Sequence, residues 1–315
     1  MVLMENSFDK GTRADKAHHS IRPTAMKNTL IALTSAALAF STASCGKSDR
    51  TQIVNKGSDT MLEVAQSWSE QYRKVNPKTF VSVSGGGSGQ GISAMIDGRV
   101  DIANCSRAIK PKEEAAAKAK GQTPVQHRVG FDGIAIFVHK DNPIESISLE
   151  QLKQIYIEGG TITKWSELGV TMPEGAEDEI VVLSRQSNSG TYEYFRESIL
   201  GKDGKFRFGT RDLVGSKEVV ETLINARTAM GYSGLAYATP QVKMVPVINK
   251  DSGAPVTPSI ATVVDRSYPI SRPLFMYTDG EPQGATKEYL DWILSDDGQR
   301  VLRDSGYPPV RVIDG

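Results

Sequence analysis

Three short runs combine glycine with serine or threonine where an apolar, strand-like stretch turns into a helical one. They are Gly57-Ser58-Asp59-Thr60, Gly87-Ser88-Gly89-Gln90-Gly91 and Ser189-Gly190-Thr191. A strand-to-helix turn leaves backbone N–H groups unpaired at the positive end of the helix dipole. Small residues let an anion approach that backbone, and hydroxyl side chains add neutral donors. Any one run reads equally well as a helix cap. Three in one chain, with Arg185 four residues before Ser189, suggest a cradle for an oxyanion. Arg185 would add a planar, permanently charged fork able to grip two oxygens.

Other chemistries find less support. Gly85 to Gly91 is not followed by Lys-Ser/Thr, so a nucleotide-hydrolysing phosphate loop is disfavoured, and no G-x-S-x-G nucleophile turn is present. His18 and His19 precede the region of interest, which leaves His127 and His139, neither with metal-ligand spacing. Cys105 reads as a small core residue rather than a reactive thiol. The expectation is a binder without metal or cofactor and without turnover.

The elements that must position these runs alternate between strand and helix. Strand-like stretches lie at Phe80–Val83, Val100–Ala103, Gly133–Val138, Ile180–Leu183 and Pro273–Tyr277. Helical spacing runs over Met61–Val75, Ile92–Asp97, Lys112–Lys120, Leu149–Ile157, Thr191–Ile199, Val219–Ala226, Lys287–Leu294 and Gln299–Asp304. This alternation predicts an α/β architecture with largely parallel sheets. The 315 residues suggest two domains once a leader is removed.

The leader begins at Met26, reading MKNTLIALTSAALAFSTASC: one lysine, an apolar stretch from Thr29 to Ala43, and small residues up to Cys45. That stretch is too short to span a bilayer. The acidic residues Glu5, Asp9 and Asp15 do not suit a signal peptide, so Met26 is the expected translation start. A cysteine at this junction resembles the lipid-attachment site of bacterial lipoproteins, with Thr42 where leucine is usual. Lysine and arginine total 37 against 37 aspartates and glutamates; loss of residues 1–44 leaves 32 against 34. A balanced or slightly acidic chain does not fit a nucleic-acid binder.

The order of motifs carries a family resemblance. Gly57-Ser-Asp-Thr-Met61, Gly85-Gly-Gly-Ser-Gly-Gln-Gly-Ile92, Asp101-Ile-Ala and Ser106-Arg107 come first. Phe131-Asp-Gly-Ile134, Asp141-Asn-Pro143, Ile162-Thr-Lys-Trp165, Arg185 with Ser189-Gly-Thr191, and Gly231-Tyr232 follow. Tyr268-Pro-Ile-Ser-Arg-Pro273, Leu294-Ser-Asp-Asp-Gly-Gln299 and Gly306-Tyr-Pro-Pro309 complete the series. From about Gln52 onward the chain resembles the phosphate-binding proteins of Pst-type phosphate ABC transporters. The resemblance implies the type II periplasmic-binding-protein fold: two α/β lobes, joined by two crossover strands, with a ligand cleft between them. It divides the chain into a leader (1–45), lobe one (46–130 plus 265–315) and lobe two (131–264). It also implies a monomer, exported and lipid-anchored through Cys45, that passes inorganic phosphate to an ABC permease.

Carried residue by residue, the family's ligand set falls on Ser58, Thr60, Met61, Ser88, Gly89, Arg185, Ser189, Gly190 and Thr191. Asp59, Ser106 and Arg107 would lie behind it. Many phosphate binders carry an aspartate at the position held here by Arg107; that carboxylate accepts the ligand's proton and repels sulfate. Asp59 is either its substitute, or a helix cap or partner for Arg107. A carrier or sensor of another tetrahedral oxyanion on the same fold and a secreted phosphoester hydrolase are the alternative functions.

Overall fold

The computed structural model describes residues 51–313, so the leader, Met26 and Cys45 lie outside the described residues. The first part of the chain runs through β1 (Thr51–Gly57), α1 (Leu62–Val75), β2 (Thr79–Ser84), α2 (Ser88–Ile96), β3 (Ile102–Cys105), α3 (Pro111–Ala119) and the long β4 (Pro124–His139). The middle contains β5 (Ile147–Ser148), α4 (Leu149–Tyr156), β6 (Val181–Arg185), α5 (Gly190–Phe195), β7 (Arg211–Leu213) and α6 (Ser216–Ile224). It continues with β8 (Ala229–Gly234), β9 (Val242–Val245), β10 (Val247–Ile248), β11 (Pro255–Val256) and α7 (Ile260–Val264). The chain closes with β12 (Ser271–Asp279), α8 (Gly284–Leu294) and α9 (Asp296–Asp304).

Local rules account for most of these elements. In α1 the buried Val64, Ala65, Trp68 and Tyr72 repeat at helical spacing and form one apolar stripe. Trp68 Nε1 donates to the Gly298 carbonyl at 2.7 Å, tying α1 to α9. Ser148 and Gln151 cap α4 reciprocally, which sets its start.

The main sheet has the order β2-β1-β3-β12-β4-β8-β6-β7, with β9 also paired to β4. Its flanks are parallel: β1 with β2 and β3, and β6 with β7 and β8. Its centre is antiparallel, since β4 opposes β12, β8 and β9, and β12 opposes β3. The sheet is therefore mixed, which corrects the expectation of largely parallel strands. An apolar run reports burial but not direction, and β4 and β12 are not joined to their neighbours as simple strand–helix–strand units. A smaller sheet has the order β11-β10-β5.

β4 also begins nine residues earlier than its apolar run suggested. From Pro124 to Gly133 it pairs with β12; from Ile134 to Val138 it pairs with β8. The helix expected over Thr191–Ile199 stops at Phe195 and widens into a π-helical turn, Arg196–Leu200.

The apolar core separates along the same line. The buried members of one cluster run from Ile134 to Ile270, including Phe137, Tyr156, Trp165, Phe195 and Tyr232, and partly buried Phe131 packs against them. A second combines Ile53 to Val129 with Leu274 to Tyr307. A third packs Ile92, Met95, Cys105 and Ala117 against Phe275 and Tyr277. Cys105 is the core residue expected, and burial pushes its thiol pKa far up.

Candidate functional site

The three small-residue runs converge. Gly57 ends β1 with φ 147°, where a side chain would collide with the Asn104 carbonyl 2.2 Å away. The chain can therefore turn sharply beside β3, which brings Ser58 next to Ser106. Ser58 Oγ donates to Ser106 Oγ at 2.9 Å, and the Ser106 amide donates to Ser88 Oγ at 3.0 Å. Ser88 Oγ and Ser106 Oγ stand 3.4 Å apart. Gly190 faces this trio so closely that a Cβ there would lie 2.4 and 2.5 Å from the Ser88 and Ser106 hydroxyl oxygens. All three serines are buried, 0 to 2 % exposed, as befits groups held for a polar purpose.

Beside the serines lies a threonine pair. Thr60 Oγ1 and Thr191 Oγ1 are 2.7 Å apart and both are buried. Arg272, from β12, donates through Nη2 to Thr191 Oγ1 (2.9 Å) and Thr60 Oγ1 (3.2 Å). Its Nη1 donates to the Ser106 carbonyl at 2.8 Å. Because a guanidinium only donates, it turns hydroxyl lone pairs toward itself. One hydroxyl proton is spent within the threonine pair, and the other stays available to an incoming acceptor.

Arg272 is held by Asp132 of β4, whose Oδ2 accepts from Nη2 at 2.8 Å and from Nε at 3.2 Å. Both side chains are 0 % exposed. Burial pushes the Asp132 carboxyl pKa up, and the Arg272 charge opposes that rise.

Arg185 ends β6 and is fully buried, and burial lowers its pKa against the pull of Asp59. Its Nη1 donates to Ser216 Oγ at 2.8 Å, its Nε and Nη2 to the Val214 carbonyl, and its Nη2 to Asp59 Oδ2 at 3.1 Å. Of its five N–H groups, one on Nη1 remains for another oxygen. Asp59 Oδ1 accepts from the Gly86 amide at 2.8 Å. Asp59 is thus the partner of Arg185 and not of Arg107, which corrects that expectation. Arg272 and Arg185 are thus balanced by Asp132, which is fully buried, and Asp59, which is 12 % exposed.

Four expected residues are committed in other ways. The Met61 amide donates to the Ser58 carbonyl (3.1 Å) and its side chain is core; the Gly89 amide donates to the Asn188 carbonyl (3.0 Å). Ser189 Oγ caps α5, accepting from the Thr191 and Tyr192 amides, so the reading of that run as a helix cap holds in part. Arg107 forms a two-pronged pair with Glu113 of α3, at 2.7 and 2.8 Å, and is 8 % exposed.

Asp132 and Arg272 were not among the expected residues, nor were Ser216 and Asn188. Arg272 and Asp132 sit within the quoted runs Ser-Arg-Pro and Phe-Asp-Gly. Charge in otherwise apolar strands was the available signal, since a buried charge needs a partner.

Residues 42–297 match the family model of the PBP superfamily domain. The chain is 32% identical over 265 residues to the phosphate-binding protein PstS of Pseudomonas aeruginosa, covering 81% of each chain. It is 32% identical over 255 residues to the phosphate-binding protein PstS of Bacillus subtilis, covering 81% of this chain and 79% of that one. A structure described as a phosphate ABC transporter substrate-binding protein with bound phosphate, from Clostridium perfringens, matches with a TM-score of 0.74 at 27% identity. It covers 83% of this chain and 100% of that one. An ABC-type phosphate transport receptor from Vibrio cholerae matches with a TM-score of 0.64 at 25% identity, covering 81% of this chain and 99% of that one. The match spans about four fifths of this chain and of its curated relatives, and the chain belongs to the PstS phosphate-binding proteins of the PBP superfamily.

Proposed function

We propose that this protein captures inorganic phosphate outside the cytoplasm and delivers it to the membrane subunits of an ABC permease. The observation that carries this reading is the convergence of the Ser58, Ser88 and Ser106 hydroxyls, the Thr60–Thr191 pair and Arg185 in one buried place. Hydroxyl donors and one remaining Arg185 N–H suit a small tetrahedral anion stripped of water. The balanced Arg–Asp pairs add little net charge, so neutral dipoles hold most of the anion's charge.

Because these groups are almost fully buried, ligand entry requires the two halves of the core to part. The separation of the core at Gly133/Ile134 supports a two-lobe reading, with 131–264 as the second lobe and 46–130 plus 265–315 as the first. Tyr268 and Ile270 pack with the middle cluster, which supports moving the second lobe's end from 264 to about Ile270, with the return crossing near Ser271. Ligand contacts from both lobes, Thr60 from one and Thr191 from the other, would favour the closed form. Export through the Met26 leader and a lipid anchor on Cys45 complete the reading, with the protein acting as a monomer.

Calorimetric titration with phosphate, arsenate, sulfate and molybdate across pH tests the assignment. Tight phosphate and arsenate binding with weak sulfate binding is the expected result. Tight sulfate or molybdate binding without phosphate binding would move the protein to another oxyanion. Arg107, locked on Glu113, is the observation that favours this second reading, because the carboxylate many relatives place there is missing.

A further inference from the structure

A second cavity, of about 640 Å³, opens beside the stretch where β4 meets β12. Its walls come from four parts of the chain: Arg128 and Phe131 of β4, Val264 and Arg266 at the end of α7, Arg272 of β12, and Arg303 with Val310 near the C-terminus. Among the described residues the lining contains five arginines and no carboxylate. Three of these charges are already matched: Arg272 by Asp132, Arg303 by Asp304 and Arg311 by Asp296. Among the described residues, Arg128 and Arg266 have no ion-pair partner, and the Arg128 guanidinium lies 5.7 Å from the centre of the Phe131 ring.

We propose that this cavity is a second binding site, for a small organic anion. Arg128 and Arg266 would take its carboxylate, sulfonate or phosphate group, and Phe131, Val264 and Val310 would cover its apolar body. Two arginines without an ion-pair partner in one lining make the cavity complementary to negative charge. Its volume lies in the range of small-molecule sites, roughly 300–1,000 Å³, and its apolar walls give a ligand body something to displace water from. The buried serine and threonine site offers no such walls. The two sites therefore select differently: an inorganic ion fits the first, and an anion with a hydrocarbon body fits the second.

The test is a fluorescence titration of the protein with 8-anilinonaphthalene-1-sulfonate, in the presence and absence of saturating phosphate. Saturable one-to-one binding that phosphate does not displace is expected. The neutral N-phenyl-1-naphthylamine, which has the same body, should bind at least ~tenfold more weakly, as should the sulfonate to the R128A/R266A variant. Equal binding of the neutral amine, displacement by phosphate, or unchanged affinity in a folded R128A/R266A variant would each overturn the proposal. Should that variant fail to fold, Val264→Glu is the second probe: Val264 is 54 % exposed and a carboxylate there would repel the sulfonate. Unchanged sulfonate affinity in Val264→Glu would overturn the proposal as well. The phosphate titrations of the buried site are separate measurements, so either reading can fail alone.

Discussion

Removing the negative charge beside Arg272 separates what the buried ion pair does for folding from what it does for the ligand. In Asp132→Asn, Arg272 keeps its hydrogen bonds to Ser106, Thr60 and Thr191 but loses the carboxylate that accepts at 2.8 and 3.2 Å. Breaking one side of a fully buried pair costs about 3–5 kcal/mol, because the remaining charge stays out of water. The amide oxygen can still accept one bond, which places this variant near the lower end, about 3 kcal/mol. At about 2–4 °C per kcal/mol for a chain of this size, the phosphate-free melting temperature should fall by ~6–12 °C. Replacing both residues, Asp132→Leu with Arg272→Met, removes the uncompensated charge and should restore most of the loss. The same double variant loses the donor that orients Thr60 and Thr191. Phosphate affinity measured by calorimetry should then drop ~10- to 100-fold, the equivalent of one charged hydrogen bond. Melting must be followed without phosphate, since bound ligand adds its own stabilisation. A wild-type melting temperature for Asp132→Asn, or wild-type phosphate affinity in the double variant, would refute the reasoning.

Arg185→Ala should weaken phosphate binding at least ~tenfold while leaving Asp59 to the Gly86 amide, which the same titration reads directly. Gly190→Ala puts a methyl group 2.4 and 2.5 Å from the Ser88 and Ser106 oxygens, so the halves cannot close fully and affinity should fall ~100-fold or more; retention within threefold would exclude that contact. Glu193 is held at a pKa of about 2: burial opposes its charge, but Lys110 at 2.9 Å and Arg196 at 2.8 Å outweigh it. A depressed carboxylate stabilises the fold above its unfolded pKa and loses that effect as pH falls toward 2. The melting-temperature gap between wild type and Glu193→Gln should therefore be constant from pH 8 to 5 and shrink below about pH 4. Cys105 is fully buried with a raised thiol pKa, so a thiol reagent should label it only on unfolding, at a rate that tracks denaturant.

The parts of the site that local rules dictate were legible in the sequence. Gly-Ser-Asp-Thr after β1, Ser88 at the start of α2, and Arg185 before the Ser189 cap each declare a turn with donors. Asp132 and Arg272 were not legible as a pair. They are 140 positions apart, and only the antiparallel pairing of β4 with β12 sets Arg272 opposite Asp132. The direction of those two strands leaves no mark in a pattern that records only inside and outside. The first nine residues of β4, with Gln126 and Arg128 exposed beside partly buried Val125 and His127, likewise read as a loop until β12 supplies a partner. Arg107 shows the opposite limit: the order of motifs sets it behind the site, but its charge is claimed by Glu113, six residues ahead.

The partition of the core also dictates an order of assembly during synthesis. The cluster between Ile134 and Ile270 is contiguous in the chain and can condense as soon as that stretch emerges. The clusters built on β1, β2 and β3 cannot, because Leu274, Phe275, Met276, Tyr277, Tyr289 and Leu302 arrive last. Until β12 docks, the far edge of β3 has no partner and its backbone groups are open to pairing with another chain. The segment that carries β1, β2 and β3 therefore leaves the ribosome before the middle cluster and becomes secure after it. A chaperone that shields nascent chains would find its most persistent target there.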